Sequence, residues 1–297
     1  MPELPEVETV RRGLAPTMEG GRIERLDLAR PDLRFPFAPD FAEQLTGQRI
    51  SALWRRAKYL LLETESQHVV IMHLGMSGSF RIENDSAALA PGTFHHERSR
   101  LAAHDHVTFH LTDAEGATYR VVYNDPRRFG FMLLTTRAEL EQHPMLRDLG
   151  AEPLGNSVNA DDLAARFHGK TTPLKSALLD QKIIAGLGNI YVCEALWRSR
   201  LSPRRHAGTL VRKNRAPTDR LRTLLNNVRD VLGEAIDAGG SSLRDHAATD
   251  GSLGYFQHRF AVYDREGETC QRDGCSATVK RIVQSGRSTF YCPVCQR

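Results

Sequence analysis

The chain has 297 residues, 40% apolar and 26% charged, and a formal net charge of +4. That is enough chain for two domains and a substantial core. No run of 18 or more apolar residues is present, which excludes a membrane-spanning helix, and no basic-then-apolar leader opens the chain, so the cytoplasm is the expected location.

The first ten residues, MPELPEVETV, carry two readings. One is a helix start: proline is tolerated in a first turn, glutamate is favoured there, and Val7, Val10 and Leu14 recur at helical spacing to about Thr17. The other is chemical. Removal of Met1 would leave Pro2 with a free secondary amine beside Glu3, the equipment of Schiff-base catalysis. Short strand-like segments follow. RIERLDLA, HVTFHLTD and TYRVVYN alternate, and YLLLETE and HVVIMHLG are apolar runs, which together suggest a sandwich or barrel ending near Leu134.

The pattern then turns helical. NADDLAARF has an Asn N-cap with acidic residues behind it, and TTPLKSALLDQK places Thr172 as N-cap and Pro173 at the first helical position. GLGNIYVCEALWRS starts a helix after two glycines; the glycine-flanked turn and the helix N-terminus suit a phosphate, or are an ordinary turn. PTDRLRTLLNNVRDVLGEAIDAGG is a long amphipathic helix with Leu221, Leu224, Leu225, Val228, Leu232 and Ile236 inward and Gly239 and Gly240 at its end.

The tail has the spacing C-x4-C-x16-C-x2-C through Cys270, Cys275, Cys292 and Cys295. Two close pairs around a hairpin, TVKRIV and STFYC with QSGR between, fit a four-thiolate Zn2+ site. Such a site has no open position, so the metal is expected to be structural. Cys193 stands apart as a buried or inert thiol. Local charge reaches +8 over Arg198–Asp230 and +4 over Cys270–Arg297, leaving −8 elsewhere. That distribution fits either a polyanion partner or solvated faces.

The motifs PELPEVET (2–9), RRAKYLLLE (55–63), HLGMSGSFR (73–81), YNDPRRFG (123–130), GLGNIY (186–191) and GRSTFYCPVCQ (286–296) span the chain in this order. With them the sequence resembles the formamidopyrimidine-DNA glycosylases, bacterial enzymes that remove oxidised purines from DNA. The resemblance implies a multidomain α+β fold. Its parts would be an N-terminal β-sandwich with flanking helices over 1–135, a linker at 136–150, a helical domain with a helix–two-turn–helix over 151–260, and a zinc-finger β-hairpin over 261–297. The chain departs from the family in its first cysteine pair, where four residues, QRDG, replace the usual two.

The resemblance also implies roles. Pro2 would be the nucleophile and Glu3 the acid that protonates the deoxyribose ring oxygen, with Glu6 as support or only a first-turn charge. Lys58 would donate a proton during β-elimination or hold a phosphate, and Arg287 would assist δ-elimination. His73, His104, Lys170, Lys175 and Asn189 would grip DNA. Met76, Arg127 and Phe129 would fill the space left by an extruded base, although without the resemblance Met76 and Phe129 read as core residues. The segment 244–256 would close over the flipped base. Expected partners are one structural Zn2+, no organic cofactor, and duplex DNA bearing an oxidised purine, bound by a monomer near the nucleoid. The rivals are the sister enzyme for oxidised pyrimidines and a zinc-finger binder without catalysis.

Overall fold

The computed structural model describes residues 1–84, 102–155, 158–241 and 255–297. The loop expected to close over a flipped base, 244–256, lies outside the described residues except for its last two. The chain divides into two compact units, Met1–Arg147 with Ala238–Tyr255, and Asp148–Asp237 with Phe256–Arg297.

The first unit opens on α1 (Leu4–Met18), which buries Val7, Val10, Leu14 and Met18 along one stripe. β1 (Arg22–Leu28) and α2 (Phe41–Leu45) follow, then β2 (Ile50–Arg56), β3 (Tyr59–Thr64), β4 (His68–His73) and β5 (Ser79–Asn84). β6 (Asp105–Thr112), β7 (Thr118–Asn124) and β8 (Phe131–Thr136) complete the unit. The strands form two antiparallel sheets, ordered β1-β6-β7-β5 and β2-β3-β4-β8. Leu26, Phe80, Val107, Phe109 and Tyr123 of one sheet share a core with Leu53, Leu60, Leu62, Val70 and Met132 of the other. This is the sandwich that the alternating segments imply.

Three strands escape the sequence pattern. β2 carries a register shift between Ile50 and Ala52 that breaks its alternation. β8 begins with two buried residues in succession, and β5 offers only Phe80 and Ile82 as apolar positions among polar ones. Period-two reading needs regular alternation over several residues; β2 and β8 do not supply it, and β5 alternates over one short stretch with only two apolar positions.

The second unit holds α3 (Ala160–Phe167), α4 (Leu174–Leu179), α5 (Asn189–Arg198), α6 (Asp219–Asp237) and the hairpin β9 (Lys280–Gln284) to β10 (Arg287–Tyr291). Asn159 caps α3, its side chain accepting from the N–H groups of Asp161 and Asp162. The expected cap of α4 is corrected. The cap is Pro173, held at ψ 138° and bridged to His206, so helical geometry starts one residue later than expected. All six inward positions expected on α6 are buried. The β9–β10 turn is Ser285–Gly286, both with positive φ, as a two-residue turn in a twisted hairpin requires.

Candidate functional site

In the first unit the chain start is held rather than frayed. Pro2 is buried and Glu3 is 3% exposed as the N-cap of α1. The Glu3 N–H donates to Glu6 Oε2 at 2.8 Å. Glu6 Oε1 accepts from the Ser241 N–H and hydroxyl, each at 2.9 Å. A residue 235 positions away therefore fixes the carboxylate that fixes the N-cap. The Glu6 carboxylate thus joins the N-cap to Ser241, a link that no local signal marks.

Lys58, 6% exposed, sits in the two-residue connection between β2 and β3. Opposite it, β4 ends at His73, paired with Tyr59. The His73 ring stacks on Phe131 at 5.3 Å and 11°. Its Nδ1 accepts the Gly75 N–H at 3.0 Å, so the neutral ring carries its proton on Nε2. Burial, then the positive charges of Lys58, Arg34 and the chain terminus, lower the His73 pKa to about 4. These causes also place Lys58, Arg34 and the terminus within electrostatic reach of one imidazole. Arg34 was not singled out in the sequence; it lies in a segment without periodicity or motif.

Free histidine titrates near 6.5. Between about pH 6.5 and 4 the unfolded chain takes the proton and the folded one does not. This residue's contribution to stability is therefore full above 6.5 and lost as the pH falls toward 4. The His73 ring resonances are expected to remain those of a neutral imidazole at pH 5; titration near 6.5 would contradict the packing described.

Two tight loops lie beside this cluster. Asp125, fully buried, accepts from Ser77 Oγ at 2.6 Å and the Arg127 N–H at 3.3 Å through Oδ1. Its Oδ2 accepts from the Gly130 N–H at 2.8 Å and Tyr123 Oη at 3.3 Å. One carboxylate thus ties the Met76 loop to the Arg127–Phe129 loop. Gly75 is required where the loops touch: its φ is +64° and a Cβ there would fall on the backbone of Phe129 and Gly130. The Arg127 guanidinium lies 4.8 Å from the Phe129 ring centre, and Phe129 is 45% exposed, which removes core packing as its role. Met76 is half-buried in its turn. His104 is half-exposed, and its carbonyl accepts the Asp125 N–H at 3.0 Å at the base of the same loop.

In the second unit Lys175 and Asn189 converge. Lys175 Nζ donates to the Ser288 carbonyl at 2.9 Å and to Thr289 Oγ1 at 2.6 Å, and Asn189 Nδ2 donates to the same carbonyl at 2.9 Å. Arg287 is the neighbour of that anchored residue. Lys175 corrects an expectation. It is 0% exposed, so its ammonium serves the hairpin and is not a surface contact for phosphate. Asn189 is the first residue of α5, and its turn is braced by Gln181, which accepts the Gly186 N–H and donates to the Leu187 carbonyl, both at 2.9 Å. Lys170 stands apart on an exposed turn after α3.

The sulfurs of Cys270, Cys275, Cys292 and Cys295 lie within 4.8 Å of one another, with Cys270–Cys295 at 4.0 Å and Cys275–Cys292 at 3.8 Å. Tetrahedral zinc with bonds of about 2.3 Å sets its sulfurs about 3.8 Å apart, so the four residues fit that ion. The longer first knuckle is absorbed by a turn in which the Cys275 N–H donates to the Arg272 carbonyl at 3.0 Å and Gly274 takes φ +73°. Arg272, from the inserted segment, lies over the Trp197 ring at 4.5 Å, and the Trp197 indole N–H donates to Cys270 Sγ at 3.4 Å. Cys193 is buried against Val262, Val279 and Phe290, outside the cluster.

Three family models match. The formamidopyrimidine-DNA glycosylase N-terminal domain covers residues 1–132, the formamidopyrimidine-DNA glycosylase H2TH domain 149–247, and a zinc finger found in FPG and IleRS 267–297. A formamidopyrimidine-DNA glycosylase of Rhizobium etli (strain CIAT 652) is 62% identical over 297 residues, covering 100% of both chains. One from Agrobacterium fabrum is 61% identical over 299 residues, again covering 100% of each. Among solved structures, Lactococcus lactis Fpg in complex with DNA containing an abasic site superposes with a TM-score of 0.83 at 32% identity, covering 100% of each chain. The same enzyme in complex with DNA containing an oxidized pyrimidine gives 0.82 at 32% identity and the same coverage.

Proposed function

Because the chain belongs to the formamidopyrimidine-DNA glycosylase family, whose activity joins base removal to cleavage at the abasic site, we propose that it excises oxidised purines opposite cytosine through an imine formed at Pro2. The observation that carries this reading is the clamped chain start, where Glu3, Glu6 and Ser241 hold the would-be nucleophile in place.

The target base must leave the stack at a cost of about a few kcal/mol. Met76 and Phe129 are the apolar wedges, and Arg127 faces the orphaned partner base. A guanidinium only donates, so it suits the acceptors of cytosine and not the amino group of adenine. Backbone donors at the start of α5, with Asn189, His73, His104 and Lys170, hold phosphates. His73 does so as a neutral Nε2–H donor.

With Met1 removed, the Pro2 nitrogen attacks C1′ and the N-glycosidic bond breaks as the base departs. Glu3 gives a proton to the ring oxygen, the C1′–O bond opens, and an iminium remains. A secondary amine yields an iminium with no N–H to lose, so it stays charged and acidifies the C2′ hydrogen. Loss of that proton expels the 3′ phosphate, with Lys58 supplying a proton in this step. Arg287 assists the second elimination beside the 5′ phosphate. The four cysteines hold one structural Zn2+ that keeps the hairpin folded and takes no part in bond breaking. No organic cofactor is needed, and the working unit is a monomer on duplex DNA at the bacterial nucleoid.

Paired substrates test the specificity. Duplexes with 8-oxoguanine opposite cytosine are expected to be cut in preference to 8-oxoguanine opposite adenine and to oxidised thymine. Arg127→Ala should narrow the cytosine-over-adenine preference by about tenfold, the worth of roughly 1.4 kcal/mol in one recognition contact. The oxidised-thymine arm matters because the L. lactis relative has been solved with an oxidized pyrimidine. Preference for oxidised thymine, or an unchanged partner-base ratio in Arg127→Ala, would contradict the assignment.

A further inference from the structure

Lys58 follows Ala57, a residue with φ 53° in the two-residue link between β2 and β3. A side chain other than glycine rarely holds that left-handed backbone unless neighbours enforce it. Here the enforcer is visible. Arg55 Nη1 donates to the Ala57 carbonyl at 2.8 Å, while its Nε donates to Glu8 Oε2 at 3.2 Å. Glu8 lies on α1, one and a half turns beyond the N-cap Glu3. Its Oε1 accepts from Arg11 at 2.9 Å and Arg12 at 3.0 Å.

The Arg55 and Glu8 side chains are 10% and 13% exposed, too enclosed for a surface ion pair. Burial alone would raise the Glu8 pKa, but bonding to Arg11 and Arg12 and the charges of Arg11 and Arg55 bring it below the ordinary carboxylate range. The same helix and its C-cap Glu19 meet β2 again at Leu53, through Arg11 Nη1 to its carbonyl at 3.4 Å and Glu19 Oε1 from its N–H at 2.9 Å. Of these links only Arg55 continues into the residue that precedes Lys58.

We propose that Glu8 and Arg55 form a bracket that sets the position of the Lys58 ammonium relative to the chain's N-terminal nucleophile, making both positioning residues for the elimination step. A planar guanidinium can bond a carboxylate and a carbonyl at once in fixed geometry, which a lysine cannot reproduce. Small misplacements of a catalytic group suffice to slow a step about a hundredfold. The proposal rests on the Pro2 and Lys58 reading given above.

The test uses the full-length protein as wild type, Arg55→Lys, Arg55→Met and Glu8→Gln under single-turnover conditions, on a duplex with a preformed abasic site. Borohydride-trapped adduct, strand cleavage, duplex affinity and melting temperature are measured for each. The expected result is cleavage slowed at least tenfold in Arg55→Met and less in Arg55→Lys, while adduct yield and affinity stay within about twofold. The pH profile of cleavage should also shift, because Lys58 has moved. If adduct, cleavage and affinity fall together with melting temperature, or if nothing changes in Arg55→Lys and Glu8→Gln, the bracket is refuted. Absence of adduct with the wild type would overturn both this inference and the Pro2 reading, whereas adduct with parallel losses overturns the bracket alone.

Discussion

Acetylation of the terminal nitrogen of the protein lacking Met1 is expected to abolish adduct formation and to slow cleavage of lesion-bearing duplex on the order of 10³-fold or more. The size follows from chemistry. An acylated nitrogen has its lone pair delocalised into the carbonyl, so it cannot attack C1′. A free terminal amine titrates near 7.7–8.0, which leaves a reactive neutral fraction at pH 7. Chain ends usually fray, yet Pro2 is buried and Glu3 is held by Glu6 and, through it, by Ser241. Duplex affinity and melting temperature should change little, since the modification removes reactivity and no packed side chain. Normal cleavage by the acetylated protein would end the proposal. Ser241→Ala offers a graded version: it removes the hydroxyl that donates to Glu6 Oε1, leaves the Ser241 N–H in place, and should slow adduct formation more modestly.

Replacing Cys295 with alanine is expected to reduce bound zinc from one ion per chain to near zero, measured by elemental analysis, and to weaken lesion-duplex binding by about 10²-fold. Structural zinc contributes roughly 10–16 kcal/mol to the folding of isolated fingers. Part of that support is lost with one ligand. The hairpin does not depend on metal alone, because Phe290 and Val279 pack with Cys193 and Val262, and Lys175 and Asn189 hold Ser288. Loss of order should therefore centre on the knuckles and on the presentation of Arg287. Cys193→Ala is the control: it lies outside the sulfur cluster and should leave the zinc content unchanged. A Cys295→Ala protein with full zinc and full affinity would remove the metal from the account.

What was legible in the sequence was local. The start of α3 and the buried stripe of α6 follow from Asn159 and from leucines at helical spacing. The zinc cluster follows from cysteine spacing, even with two extra residues in the first knuckle. The motifs carrying the family resemblance are contiguous stretches, and family models then matched most of the chain.

The tertiary structure decided the rest, because those interactions join residues far apart in the chain. Nothing near Ser241 announces that it braces Glu6, nothing near Asp125 that it holds Ser77, and nothing near Arg55 that it bridges Glu8 to Ala57. Lys175 reads as a surface lysine from its neighbours, yet its ammonium is sealed beneath a hairpin 113 residues away. Helix caps, periodicity and metal spacing are short-range constraints written into consecutive residues. Which polar groups face one another across the core depends on how the sheets and helices close, and that information resides in no single stretch.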